Sequence, residues 1–137
     1  MRHRHSLKVR FYELDPYNHV NHSAIIQYFE VGRVELLESI GFGLDAMKRG
    51  GHHIVVTRIQ TRFVGSAGPG DVLVVETTVE RVGRATSTWS QRLLRDDELL
   101  ADQTIEAAFT DVAGKPRRFP AELAAALETY QAEPTSR

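Results

Sequence analysis

Cysteine is absent from the 137 residues. That excludes disulfides, a thiolate nucleophile and Cys-ligated zinc, and it suits a reducing compartment. An excess of one charge is also missing. Seventeen basic residues against 18 acidic ones leave a formal net charge of −1, so no net field recruits nucleic acid or a membrane surface. No stretch approaches the ~20 consecutive apolar residues that span a bilayer. The start, Met1-Arg2-His3-Arg4-His5, carries charge with no apolar run behind it, unlike a secretory leader. These absences predict a cytoplasmic protein with neither nucleic acid nor a membrane as partner.

The apolar fraction of 42% and the charged fraction of 26% are those of a globular protein. The length fits a single domain over residues 1–137. Residues 7–13 alternate, with Val9 and Phe11 against Lys8, Arg10 and Tyr12, and predict a strand that ends in a polar, proline-containing loop at Asp15. From Asn21 to Ile40 the apolar residues Ile25, Ile26, Phe29, Val34, Leu36, Leu37 and Ile40 recur at helical spacing. Asn21 or Ser23 can cap this helix, and Gly41 can end it. Its wide apolar circumference suits a helix wrapped by sheet.

Beyond a short helix and turn within residues 43–51 the character changes. Residues 54–64, 72–82, 85–95 and 99–111 are long runs rich in Val, Thr, Ile and aromatics. Short turns separate them, which predicts antiparallel hairpins. In the first run, Val55, Thr57, Ile59, Thr61 and Phe63 alternate with Val56, Arg58, Gln60 and Arg62, giving one wetter face. A short helix after Pro120 and a disordered tail at residues 133–137 complete the reading. The fold class is therefore α+β, a five-stranded antiparallel sheet curled around one long helix. Its open edges and groove call for a second copy.

The segment Phe11-Tyr12-Glu13-Leu14-Asp15-Pro16-Tyr17-Asn18-His19-Val20-Asn21-His22, followed by Tyr28-Phe29-Glu30-Val31-Gly32-Arg33, resembles the 4-hydroxybenzoyl-CoA thioesterase family of hotdog proteins. The triplet His19-Val20-Asn21 is similar to the loop of fatty-acyl thioesterases in the same superfamily. Weaker likeness continues through residues 66–71, 82–84 and 115–120. The chain departs from the family pattern at Ile25-Ile26, where an aromatic is usual, and at Tyr17, where fatty-acyl members often carry Asn.

The resemblance implies hydrolysis of an acyl-CoA thioester, with coenzyme A as part of the substrate and no separate cofactor. It makes Asp15 the catalytic carboxylate, as nucleophile or general base, and gives the His22 main-chain N–H the task of polarising the thioester carbonyl. Physical chemistry agrees with such a pairing. A thioester needs a base or nucleophile at carbon and donors at the developing oxyanion, and a helix start offers unpaired N–H groups and a positive dipole end.

His19, Asn21 and Arg84 are candidate substrate-binding residues. Asn21 also reads as a helix cap, and exposed Arg84, Arg117 and Arg118 could meet the phosphates of coenzyme A. Asp15 with His19 and His22 has loose spacing for a metal, so no metal site is expected. Glu30 and Arg33, three apart on the helix, are expected to pair. His3 and His5 read as solvated residues, and His52-His53 could line a pocket mouth. Other readings remain open: a thioesterase acting on acyl carrier protein, a hotdog enoyl-thioester hydratase, or a non-catalytic acyl-CoA-binding protein. The expected assembly is a homodimer or homotetramer, and the resemblance implies an acyl-pantetheine arm lying between subunits.

Overall fold

The computed structural model describes residues 1–131; the expected tail at residues 133–137 lies outside them. In chain order the elements are β1 (His3–Lys8), a 3-10 turn (Phe11–Glu13), α1 (His22–Ser39) and α2 (Leu44–Gly50). The strands β2 (His52–Phe63), β3 (Val72–Val82), β4 (Thr86–Arg95) and β5 (Glu98–Asp111) follow, and α3 (Ala121–Glu128) comes last. The five strands form one antiparallel sheet in the order β1-β3-β4-β5-β2. α1 packs across its inner face, chiefly on β3, β1 and β4. This is the wrapped-helix hotdog arrangement that was expected, but of the three expected hairpins only β3–β4 and β4–β5 form. β2 pairs with β5 and β3 with β1, so residues 64–71 cross between strands that are not neighbours.

The first strand needs a correction. It occupies His3–Lys8, and the second half of the expected run coils into the 3-10 turn at Phe11–Glu13. Alternation alone does not make a strand; it needs a partner ladder. β3 begins at Val72 opposite Lys8, and the Val9 N–H turns to the Asp71 carbonyl at 2.9 Å. Beyond that point no strand is left to pair with. His3 and His5, expected as solvated residues, are instead ladder residues opposite Thr77 and Val75.

β2 differs in phase from a plain alternation. A register shift between Val56 and Arg58 inserts Thr57 as a bulge. Before it, Ile54 and Val56 lie opposite the buried Phe109 and Ala107; after it, Ile59, Thr61 and Phe63 lie opposite the buried Ile105, Gln103 and Ala101. The inward set is therefore Ile54, Val56, Ile59, Thr61 and Phe63, and a strict period of two misplaces its first half.

α1 begins and ends as its sequence dictates. The Asn21 Oδ1 accepts from the Ser23 N–H at 2.9 Å, and Gly41 takes φ +82° just beyond the last turn. Gly32 lets the helix approach the sheet closely, because a Cβ there would sit 2.5 Å from the Val75 Cγ1.

The core divides in two. One cluster holds Val9, Ala24, Ile25, Tyr28, Phe29, Leu73, Val75 and Leu93; the other holds Leu36, Leu37, Met47, Val79, Trp89, Ile105 and Phe109 with Leu123 and Leu127 of α3. Between them a polar rung crosses four strands, with Thr77 opposite Gln91, Gln91 opposite Gln103, and Gln103 opposite Thr61.

Candidate active site

The loop after the 3-10 turn closes on itself as a small hairpin. Leu14 bridges Val20, the Asp15 N–H donates to the His19 carbonyl at 2.7 Å, and the Asn21 N–H donates to the Glu13 carbonyl at 2.8 Å. Asn18 takes φ +63° at the tip, a left-handed conformation that Asn tolerates. Asp15 is the keystone of this loop: its Oδ1 accepts from the Tyr17 N–H at 2.8 Å and the His19 N–H at 3.1 Å. The Oδ2 takes no hydrogen bond among the described residues. Asp15 is therefore a turn-forming residue, and that role orients one carboxylate oxygen while leaving the other available.

The same ladder ties the loop to the start of α1. Glu13 is anchored from inside, where its Oε1 accepts from the Tyr28 Oη at 2.7 Å. Burial, then the neighbouring Glu13 carboxylate, drive the Tyr28 phenol well above its ordinary value, so it stays a neutral donor. Asn21 acts as the helix cap, accepting also from the Ser23 Oγ at 2.7 Å. His22, the first helical residue, stacks its ring on Phe63 of β2 at 4.4 Å between centroids. Its N–H has no acceptor among the described residues, as the first turn of a helix leaves it. His19 is exposed in the loop.

Sequence reasoning placed Asp15, His19, Asn21 and His22 together, and the structure brings them together. Arg84 is not with them. It is exposed in the β3–β4 connection, where its carbonyl accepts from the Phe119 N–H at 2.9 Å, level with the start of β2. Asp15 lies at the other end of the sheet, near the end of β2. Arg117 is at the Arg84 end too, with Asp111 at 3.6 Å.

Beginning at Ile26 and Ile59, one helical turn along α1 from the His22–Phe63 stack, a cavity of about 760 Å³ runs between α1 and β2. Ile26, Val34 and Leu37 form the helix wall, Val56 and Ile59 the strand wall, and α2 closes the far end with Leu44 and Met47. His52 and His53 line it as expected. Glu30 and Arg33 line it as well, but they do not pair as expected. Arg33 turns onto the sheet instead, and its Nη1 donates to the Gln91 Oε1 and the Gln103 Oε1, each at 2.7 Å. Sequence reasoning missed the extent of the cavity, Phe63 and the two glutamines. The available signal was a pair of glutamines at inward positions of otherwise apolar strands.

No three His, Cys, Asp or Glu side chains gather into a metal-binding group among the described residues. No described helix is long and apolar enough to cross a membrane.

A capped helix wrapped by a five-stranded antiparallel sheet, with a carboxylate-bearing hairpin leading into its start, is the architecture of the hotdog thioester hydrolases. Comparison with known proteins agrees: residues 9–127 match the thioesterase-like superfamily, and the chain belongs to it. It is 30% identical to the acyl-CoA thioesterase YbgC of Haemophilus influenzae over 88% of this chain and 90% of that one. It is 28% identical to the chloroplastic acyl-acyl carrier protein thioesterase ATL3 of Arabidopsis thaliana, over 88% of this chain but only 65% of the plant protein. The structure of a probable thioesterase from Bartonella henselae superposes with a TM-score of 0.85 at 27% identity, covering 88% of this chain and all (100%) of that one.

Proposed function

We propose that this protein hydrolyses an acyl-CoA thioester to the free acid and coenzyme A. The observation that carries the reading is the tethered Asp15 carboxylate, held by one oxygen and free at the other, on a hairpin that leads directly into the α1 N-terminus. Asp15 stands two ladder steps from the helix cap, roughly 7 Å along the strand direction. A thioester carbon fits between the free Asp15 oxygen and the His22 N–H. The carboxylate attacks it or activates a water for attack, and the N–H and helix dipole stabilise the oxyanion. The acyl group then enters the cavity between α1 and β2. The protein is read as cytoplasmic, in keeping with its lack of cysteine.

Asp15→Asn tests this reading. The amide oxygen keeps both loop hydrogen bonds, so the melting temperature should hold while kcat falls by about 10²–10⁴-fold. Turnover near wild type in folded Asp15→Asn protein would remove Asp15 from the chemistry.

The working unit in this proposal is a homodimer or a tetramer of dimers. β2 is an edge strand of 12 residues whose Val55, Val56, Ile59 and Phe63 are all at least 36% exposed. A long apolar edge invites pairing with another strand. Antiparallel pairing of two copies of β2 is self-complementary and brings residues 53–58 of the partner subunit beside the end of β2 near His22. The same rotation carries the partner's Arg84 toward the Asp15 end, where it meets the phosphates of coenzyme A. Light scattering should return at least twice the 15.4 kDa chain mass; a fully active monomer would overturn the shared site.

The similarity to ATL3 favours a second reading, in which acyl carrier protein presents the same pantetheine arm. A higher kcat/KM for acyl carrier protein thioesters than for the matching acyl-CoA would replace the first reading with the second.

A further inference from the structure

Two charged side chains are buried to 9% exposure or less among the described residues, Arg33 and Glu76. The fold treats them oppositely. Glu76, on the outer face of the sheet, is met by Arg2, Arg4 and Arg92 at 3.6, 3.0 and 2.8 Å. Arg33, on the inner face, is met by two neutral amides and by no carboxylate.

Those amides are fixed so as to face it. The Gln91 Nε2 donates to the Phe29 carbonyl and the Thr77 Oγ1, and the Gln103 Nε2 donates to the Thr61 Oγ1, so each side chain turns its oxygen toward Arg33. Both bonds are taken by Nη1. Neither Nε nor Nη2 has an acceptor among the described residues, and Arg33 lines the cavity. A buried cation without an anion is costly, and a fixed polar rung that splits an apolar core to hold one calls for a reason.

Resting on the reading of this cavity as the acyl site, we infer that Arg33 is an anion receptor in the cavity wall and that the favoured acyl group carries a second carboxylate distal to the thioester. The free Nε–Nη2 edge of a guanidinium matches a carboxylate in two-point geometry. α1 rises about 1.5 Å per residue, so Arg33 lies ~16 Å below His22, and its side chain leans back by roughly one 5 Å turn. The receptor therefore stands on the order of 10 Å from the thioester carbon, the reach of a medium-length acyl chain.

Burial pushes the Arg33 guanidinium below its ordinary value, while Glu30 opposes that shift through space. Glu30 is exposed and forms no ion pair with Arg33, so a carboxylate arriving inside the cavity competes with a solvated one. Lys48, His52 and His53 are the other polar side chains on the wall.

The test compares kcat/KM for octanoyl-CoA and suberyl-CoA, which share chain length and differ in a terminal carboxylate. The wild-type protein should favour suberyl-CoA by about tenfold or more, the scale of hydrogen bonds to a charged group. Arg33→Met should bring that ratio to one or below. Glu30→Gln, at an exposed position, should raise the ratio by removing the competing carboxylate, and this arm stands even if Arg33→Met does not fold. Hydrolysis of octanoyl-CoA with no suberyl preference in either wild type or Glu30→Gln overturns the receptor and leaves the thioesterase reading intact. Hydrolysis of neither substrate overturns both.

Discussion

The Asp15 hairpin and the Arg33 rung are two polar constructions on one helix, at its start and past its middle. Around Asp15 the hydrogen bonds span two and four residues and the groups are at least partly open to water. Around Arg33 they span 58 and 70 residues and are buried. A loop closed by its own backbone adds little to global stability, because each bond replaces one to water. A buried rung that joins the helix to two strands is lost only when the fold opens. Substitutions at the hairpin should therefore act on turnover, and substitutions at the rung on stability.

The largest effect that sharpens this contrast is expected at Gln103. Gln103→Leu removes one of the two acceptors that hold Arg33 and strands the Arg33 N–H in a buried setting. The cost should be about 2–3 kcal/mol, the scale for a bond to a charged group. A urea titration should show a lower midpoint with an unchanged slope. A loss under about 0.5 kcal/mol would mean that water replaces the amide through the cavity and that the rung is not a stabilising unit.

The same contrast explains what could be read in advance. The hairpin residues were legible because their partners are near in sequence: Asp15 before Pro16, and Asn21 ahead of an apolar helix, are local signals. The strand count and the β3–β4 and β4–β5 hairpins were legible from short turns between long runs, whereas the turn-like stretch before β3 joins strands that do not pair. Three things were hidden by long-range pairing. The run through Phe11 alternates, yet no strand faces it beyond Lys8. Thr57 reads as an ordinary strand residue, and only the ladder with β5 makes it a bulge. Glu30 and Arg33 have the spacing of a helical ion pair, but two glutamines 58 and 70 residues downstream take the arginine.

A middle-sized effect is expected where the two regions share a helix. Asn21→Ala removes the cap that accepts from the Ser23 N–H and Oγ. It should cost about 1 kcal/mol in thermal or urea unfolding. If the His22 N–H polarises the substrate, kcat should fall as well, because a frayed first turn no longer fixes that donor. A drop in stability with kcat unchanged would place the oxyanion donor elsewhere than the start of α1.

The smallest effect concerns a group that has burial without partners, and so separates the two ingredients of the rung. The His3 Nδ1 is buried and unbonded, and its ring meets Tyr130 edge-on at 5.6 Å. Burial, and then the charge of His5, pull its pKa below 6.5, while Glu35 pulls the other way. A histidine whose folded-state pKa is depressed binds fewer protons folded than unfolded within that window. Its contribution is therefore present at neutral pH and is lost as pH falls through 6.5 toward the folded value. The melting temperature should decline from about pH 7 to pH 5, the range in which histidine titrates. His3→Phe keeps the edge-on contact and removes the titration, so the difference between wild type and variant isolates this side chain from the other histidines. The variant should gain on wild type as the solution is acidified. Parallel melting curves at every pH would show that His3 is hydrated in both states and that burial of an imidazole edge, unlike the anchored Arg33, has no energetic consequence here.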